Sequence, residues 1–269
     1  MRLTANYHTH TWRCNHAEGT EREYVEQAVA RKLQVLGFSD HSPQVFDPGY
    51  TSGFRMRPDQ LEDYVTTLRS LREEYAGRIK ILIGLEAEYY PRFFGRLLEL
   101  IRPFGLDYLI LGQHFIGNEC EGLPHCSHPT EDEGMLERYV KQTIEGMETG
   151  VFSCFAHPDV LNYTGDRRIY RKWYEKLCVR AKELNVPLEM NVLGYVTDRH
   201  YPNATFFQIA REVGNEVIPG CDAHSVSRVA DPEEMDRSFR FLQECGIVRV
   251  PDRMELIPPI RKDSPPGPA

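Results

Sequence analysis

The sequence predicts an α/β fold, a seven-stranded (β/α) barrel, on three observations. Seven short apolar runs alternate with longer amphipathic stretches, the pattern of repeated strand–helix units with parallel strands. Every run hands over, at or just past its end, to a histidine, a carboxylate or an asparagine. The 269 residues give ample length for the core of one such domain. Strand–helix units can also open into a doubly wound sheet, but an open sheet gathers its site at one switch point. A barrel collects residues from many strand ends around one mouth, and here every run contributes.

The elements follow in chain order. The expected strands are "LTANYH" (3–8), "VLGFSD" (35–40), "IKILIGLEA" (79–87), "DYLILGQ" (107–113), "FSCFA" (152–156), "PLEMN" (187–191) and "EVIPGCD" (216–222). Amphipathic helices are expected at about 20–33, 59–76, 92–102, 132–149, 169–185, 203–213 and 232–244. Thr20 with Glu23 reads as a capping box, and Pro58 and Pro202 stand where first helical turns would begin. One domain over 1–258 and a flexible Pro-rich tail over 259–269 ("PIRKDSPPGPA") complete the expected organisation.

Composition excludes several classes. A net charge of −8 argues against a nucleic-acid surface as the main theme. There is no 18-residue apolar run and no signal-peptide core at the start, so neither a membrane span nor export is expected. Seven cysteines without a C-x-x-C pair read as reduced thiols of a cytoplasmic protein.

The polar residues at the strand ends carry the chemistry. His8 and His10 leave the first strand, and His16 follows closely. Asp40 and His41 end the second strand, Glu86 or Glu88 the third, His114 the fourth and His157 the fifth. Asn191 ends the sixth, and Asp222 and His224 leave the seventh. One histidine after a strand is ordinarily just a hydrogen-bonded polar residue. Recurrence at the same structural phase is what points to a metal centre. Histidine and carboxylate ligands suit Zn²⁺, Mn²⁺ or Fe²⁺. Nine candidates exceed the needs of one ion, so two or three divalent ions are expected, with a carboxylate shared between them. His125 and His128, in a Gly/Pro-rich loop after the fourth strand, and His200 are the competing histidines, suited to a lid or a surface loop.

Together these residues resemble the PHP family, the polymerase and histidinol phosphatase domain. The marks are H-x-H after the first strand, a third histidine shortly after, "SDH", a glutamate closing the third strand, histidines closing the fourth and fifth, and D-x-H after the last. The resemblance runs from His8 to His224 and implies a distorted seven-stranded (β/α)7 barrel, TIM-like, with up to three metals at the C-terminal strand ends. It implies that His8, His10, Glu86 and Asp222 hold one ion. Glu86, bridging, would join His114 and His157 on a second, and His16, His41 and His224 would hold a third. Glu86 is preferred to Glu88 because "GLEAEY" resembles the family's G-x-E segment.

Within the family, "HAEGTEREYVEQA", "RMRPDQLEDYV" and "HPDVLNY" look most like the stand-alone histidinol phosphatases. The implied function is hydrolysis of a small phosphate monoester, L-histidinol phosphate first, with a nucleotide or sugar phosphate as the alternative. A hydroxide shared by two ions would attack phosphorus in line. Asp40 is expected to orient an imidazole, and Asp159 to donate a proton or hold a substrate amine. Arg55, Asn191 and Arg199 are the candidate substrate contacts, arginine because its planar fork fits phosphate. The chain departs from the pattern at Val196, where related phosphatases carry an arginine; Arg199 is the nearest replacement. An amidohydrolase would want a bridging lysine from the fourth strand, which "DYLILGQHF" lacks, and a metal-storage protein would show no turnover.

Overall fold

The computed structural model describes residues 3–251 and 253–260. The expected tail lies outside the described residues from 261 onward.

Seven parallel strands form one sheet in chain order, each paired to the next. They are β1 (Ala5–Asn6), β2 (Val35–His41), β3 (Lys80–Ala87), β4 (Tyr108–Leu111), β5 (Cys154–Phe155), β6 (Leu188–Asn191) and β7 (Val217–Gly220). Between and after them run α1 (Glu21–Ala30), α2 (Leu61–Glu74), α3 (Phe94–Ile101), α4 (Glu133–Glu148), α5 (Arg167–Glu183), α6 (Val192–Val196), α7 (Ala204–Val213) and α8 (Pro232–Glu244). The capping box at α1 is present, with Thr20 accepting from the Glu23 amide and the Glu23 side chain returning to the Thr20 amide. Aspartates 132, 166 and 231 cap α4, α5 and α8 in the same way, each accepting from an amide of the first turn.

The ladder is shorter than the apolar runs at several places. β1, β4, β5 and β7 keep only two, four, two and four regularly paired residues. In β7, Pro219 has no N–H to give the ladder. Pro202 does not open α7; Asn203 caps that helix and it begins at Ala204. The five-residue α6 was not expected, because a run holding glycine and two valines has weak helical propensity. Asn191 starts it, its Oδ1 accepting from the Gly194 amide at 2.8 Å.

The barrel closes between its ends at the mouth. Thr9 and Ala223 form a parallel bridge, with the His10 amide donating to Ala223 O at 3.0 Å and the Ala223 amide to His8 O at 3.3 Å. Period-two alternation then sorts each strand into an inner and an outer column. Outward residues such as Leu36, Phe38, Ile83, Leu109 and Leu188 pack beneath the helices. Inward residues change character with height. Val35, Leu82, Tyr108, Ile110 and Ile218, with Met254 from the C-terminal segment, form an apolar floor. Above them lie glycines 84, 112 and 220, and above those Glu86, His114 and Asp222. Two of these glycines make room for side chains crossing the barrel. A Cβ at Gly112 would collide with Glu86 Oε1, and one at Gly220 with Glu189 Oε1.

Candidate metal centre

The inward columns deliver their polar ends to one place. His41 ends β2 and pairs in direct register with Glu86, one residue before the end of β3. His8 and His10 lie just past β1, His114 and His157 just past β4 and β5, and Asp222 and His224 just past β7. Eight of the chain's ten histidines form a continuous group of rings. Neighbouring centroids are as close as 4.0 Å for His10 and His224, 4.4 Å for His10 and His41, and 4.8 Å for His114 and His157.

Glu86 is at the middle of this group. Its Oε1 lies 2.7 Å from His157 Nε2 and 3.6 Å from His114 Nε2. Its Oε2 lies 3.0 Å from His41 Nδ1, 3.4 Å from His8 Nε2 and 3.5 Å from His10 Nε2. Asp222 Oδ1 faces His10 Nε2 at 3.1 Å and His8 Nε2 at 3.4 Å. Glu88, two residues along the same inner column, is instead paired with Arg55 and with His114 Nδ1 at 3.0 Å.

The electrostatics are those of a site that wants cations. Burial alone would raise the carboxyl pKa values, but His41, His114 and His8 hold Glu86 well below its usual range, and His8 and His224 do the same for Asp222. Burial disfavours a charged His8, yet Glu189, Asp222 and Glu86 push its pKa up to about 10. His41 is brought down to about 3 by burial, with the charges of His10 and His114 adding to it. His41 Nδ1, Glu86 Oε2, Asp222 Oδ1 and His224 Nε2 are buried atoms without a hydrogen-bond partner. Buried polar atoms are normally satisfied, so convergent orphans of this chemistry fit divalent ions.

Candidate ligand atoms lie within 4.8 Å of one another in overlapping sets: His8, His10 and Asp222; His8, Glu86 and His157; His10, His41 and Glu86; and His16, His41 and His224. The geometry thus assembles the nine expected residues, with His114 reached through Glu86. Two of them, His157 (φ 31°) and Asp222 (φ 50°), adopt left-handed backbone, a strained conformation that tends to persist at functional sites.

Of the other expected roles, those of Asp40, Arg55 and Asn191 need correction. Asp40 is on the outer face of β2, opposite to His41, so period-two geometry turns it away from that ring. Its Oδ1 lies 3.4 Å from His10 Nδ1, and its Oδ2 accepts from Thr11, so the imidazole it orients is that of His10. Arg55 is not held out to substrate. It is 2% exposed, donating to Glu88 at 2.8 and 2.9 Å and to Glu119 at 3.0 Å. Asn191 is likewise turned inward: its amide nitrogen donates to Glu189 Oε2 at 2.9 Å and Asp222 Oδ2 at 3.1 Å, and its oxygen caps α6. Asp159 is buried, one oxygen accepting from the Asn203 amide and the other without a partner, and burial pushes its pKa up to about 7. Arg199 remains exposed and donates to Tyr201 Oη at 2.6 Å, with the Tyr201 ring 5.8 Å from that of His157.

Of the competing histidines, His125 comes nearest. The 115–130 loop folds back through a Phe115–His125 bridge and sets the His125 ring 5.5 Å from His114. His200 is committed to Val160 O at 2.7 Å. Two residues, Glu119 and Glu189, escaped the sequence reading. Glu119 could not be found from sequence, since its partner Arg55 lies on another loop. Glu189 left a signal, a glutamate among the fully buried residues of "LEMN". Cys14 is buried beside the centre; burial would raise its pKa, but hydrogen bonds with His10, His16 and His224 bring it down to about 3.

A parallel barrel with a histidine–carboxylate centre on its C-terminal rim defines a metal-dependent hydrolase. The PHP domain matches residues 6–192, and the chain belongs to the PHP domain family. It is 29% identical over 250 residues to "Probable histidinol-phosphatase" of Deinococcus radiodurans, covering 90% of this chain and 91% of that protein. It is 31% identical over 115 residues to "Histidinol-phosphatase" of Bacillus subtilis, covering 40% and 43%. Among solved structures it is similar to the histidinol phosphate phosphatase of Lactococcus lactis, determined with zinc, L-histidinol and phosphate, at a TM-score of 0.73 and 21% identity over 95% of this chain and all of that one. Family, centre and relatives make the protein a phosphoric monoester hydrolase. Among the described residues no helix is long and apolar enough to cross a membrane.

Proposed function

We propose that this protein hydrolyses L-histidinol phosphate to L-histidinol and phosphate. The observation that carries the reading is the placement of Glu86, one carboxylate within 3.6 Å of five imidazoles at the barrel mouth. His8, His10 and Asp222 would hold one ion with Glu86, His114 and His157 a second with the same Glu86, and His16, His41 and His224 a third. Bound ions supply a water of lowered pKa and positive charge against the phosphoryl oxygens. The chain supplies the rest. Glu88, braced by Arg55, keeps His114 turned by its Nδ1, an outer contact that fixes ring orientation. Arg199, exposed and donating to Tyr201, would take a phosphate oxygen, in the role left by Val196. Asp159, titrating near neutrality, suits proton transfer to the leaving alkoxide. The substrate identity draws support from the Deinococcus relative, similar along nine-tenths of the chain. Seven free cysteines support a reducing, cytoplasmic setting.

A second reading, another small phosphomonoester, is favoured by Val196, half-buried at the end of α6 and packed against the core instead of presenting a cation. Phosphate release from L-histidinol phosphate, a nucleoside monophosphate and a sugar phosphate, each with Zn²⁺, Mn²⁺ or Fe²⁺, separates the two. Efficiency above about 10⁴ M⁻¹s⁻¹ on L-histidinol phosphate alone supports the first reading. A better rate on another ester moves the assignment, and no turnover by the metal-loaded protein rejects both. Arg199→Ala is expected to raise KM roughly 10- to 100-fold, the worth of a hydrogen bond to a charged group, and an unchanged KM removes that arginine from the phosphate site.

A further inference from the structure

Glu189 occupies a place that folding alone would give to an apolar residue. It is the second residue of β6, its neighbours Leu188 and Met190 are fully buried, and it is itself 2% exposed. Glu86 and Asp222, two further anions, converge on the ring that it contacts. A buried carboxylate is strongly unfavourable unless fully hydrogen-bonded. What Glu189 contacts explains why it is there. Its Oε1 lies 2.7 Å from His8 Nδ1. Its Oε2 accepts from the His157 backbone amide at 3.0 Å and from Asn191 Nδ2 at 2.9 Å, and that same Asn191 nitrogen donates to Asp222 Oδ2 at 3.1 Å.

We propose that Glu189 is a positioning residue that aims three ligands of the metal centre at once. The inference rests on the reading of the cluster as a metal centre. On His8, a carboxylate at Nδ1 fixes the proton there, so that Nε2 is the nitrogen free to bind an ion, and it is Nε2 that faces Glu86 and Asp222. On His157, the bond to the amide holds a residue with φ 31° in left-handed backbone, and that turn brings Nε2 to Glu86. On Asp222, Asn191 engages Oδ2 and leaves Oδ1 directed at His10 and His8. Gly220 completes the device. It lies opposite Asn191 on β7, and only its missing Cβ lets the Glu189 carboxylate reach its place. Among the described residues the hydrogen bonds of Glu189 reach His8, His157 and Asn191 and none of His16, His41 and His224, so the third ligand set stands apart from this brace.

That division is what an experiment can read. Glu189→Gln removes the anion and offers His8 Nδ1 either an oxygen or a donor, so the ring loses its fixed tautomer. Gly220→Ala leaves the carboxylate intact but displaces it. Metal content per chain, chelator competition with Zn²⁺ and imidazole ¹⁵N shifts are measured for the wild type, both variants and Glu189→Asp. The ions liganded by His8 and His157 are expected to weaken roughly 10- to 100-fold in both variants. The ion of the His16, His41 and His224 set stays, the His8 ¹⁵N pattern changes, and Glu189→Asp recovers part of the affinity. Wild-type affinity and an unchanged ¹⁵N pattern in Glu189→Gln overturn the proposal, as does uniform weakening of all ions in step with lost thermal stability. Should Glu189→Gln not fold, Gly220→Ala decides by the same readouts. A wild-type protein that binds no divalent ion defeats the metal-centre reading itself, a result distinct from the others.

Discussion

The floor and the mouth of the barrel are built on the same strands and obey opposite rules. On β3 the inward column runs from Leu82 to Glu86 within four residues, and on β7 from Ile218 to Asp222. The floor is apolar and filled, with Tyr108 lying across the axis and donating to Tyr7 O at 2.7 Å. The mouth is polar and holds orphaned atoms. Stability is concentrated at one end and chemistry at the other, a division usual in parallel barrels. The layer of glycines between them lets each end have its own side chains without a clash.

The comparison predicts that mouth changes abolish function and leave the fold, while floor changes do the reverse. The largest effect on function is expected from Glu86→Gln. Metal content falls, and phosphatase rate drops by more than the roughly 100-fold that an outer contact can cost. Retained metal and rate would show that the mouth is organised around another residue, Glu88 first. The largest effect on stability is expected from Tyr108→Ala, about 3–5 kcal/mol by urea denaturation, with kcat per folded molecule unchanged. A loss of kcat in that variant would mean that floor and mouth are coupled through the glycine layer.

A smaller effect separates the two ends by pH. In the metal-free protein His8 has its pKa raised from 6.5 to about 10, opposed by burial but driven by Glu189, Asp222 and Glu86. The native state then holds a proton that the unfolded chain releases, so this contribution is complete below pH 6.5 and is lost as pH rises toward 10. Glu86 and Asp222, depressed in the native state, contribute above the ordinary carboxylate range and lose it in acid. Chelator-treated protein should therefore weaken on both sides of mildly acidic pH. Metal-loaded protein should not show the alkaline loss, because ions replace the protons. Identical urea midpoints for the two forms from pH 6.5 upward would remove the mouth as the source.

Much of this division is legible in the chain. Period two on "KILIGLEA" places Leu82, Gly84, Glu86 and Glu88 on one face, and the expected ligands come from the same columns. The rest depends on contacts between distant segments. Asp40 is expected to orient an imidazole and stands beside His41 in the chain, whereas the strand turns it to His10. Arg55 looked like a loop cation until the fold set Glu88 and Glu119 around it. Asn191 looks like a substrate contact from the sequence because nothing local shows Glu189 and Asp222 on either side of its amide. Strand ends announce which residue types meet, and partner choice waits for the barrel to close.

The Thr9–Ala223 bridge has a consequence in time. His8 and His10 are synthesised long before Asp222 and His224, with all the strands between them. A nascent chain therefore carries an incomplete centre until β7 and the residues just past it have been made. Products cut short before Asp222 cannot assemble the full ligand set. Cofactor loading in this architecture is a late event, reserved for chains that have been read past His224.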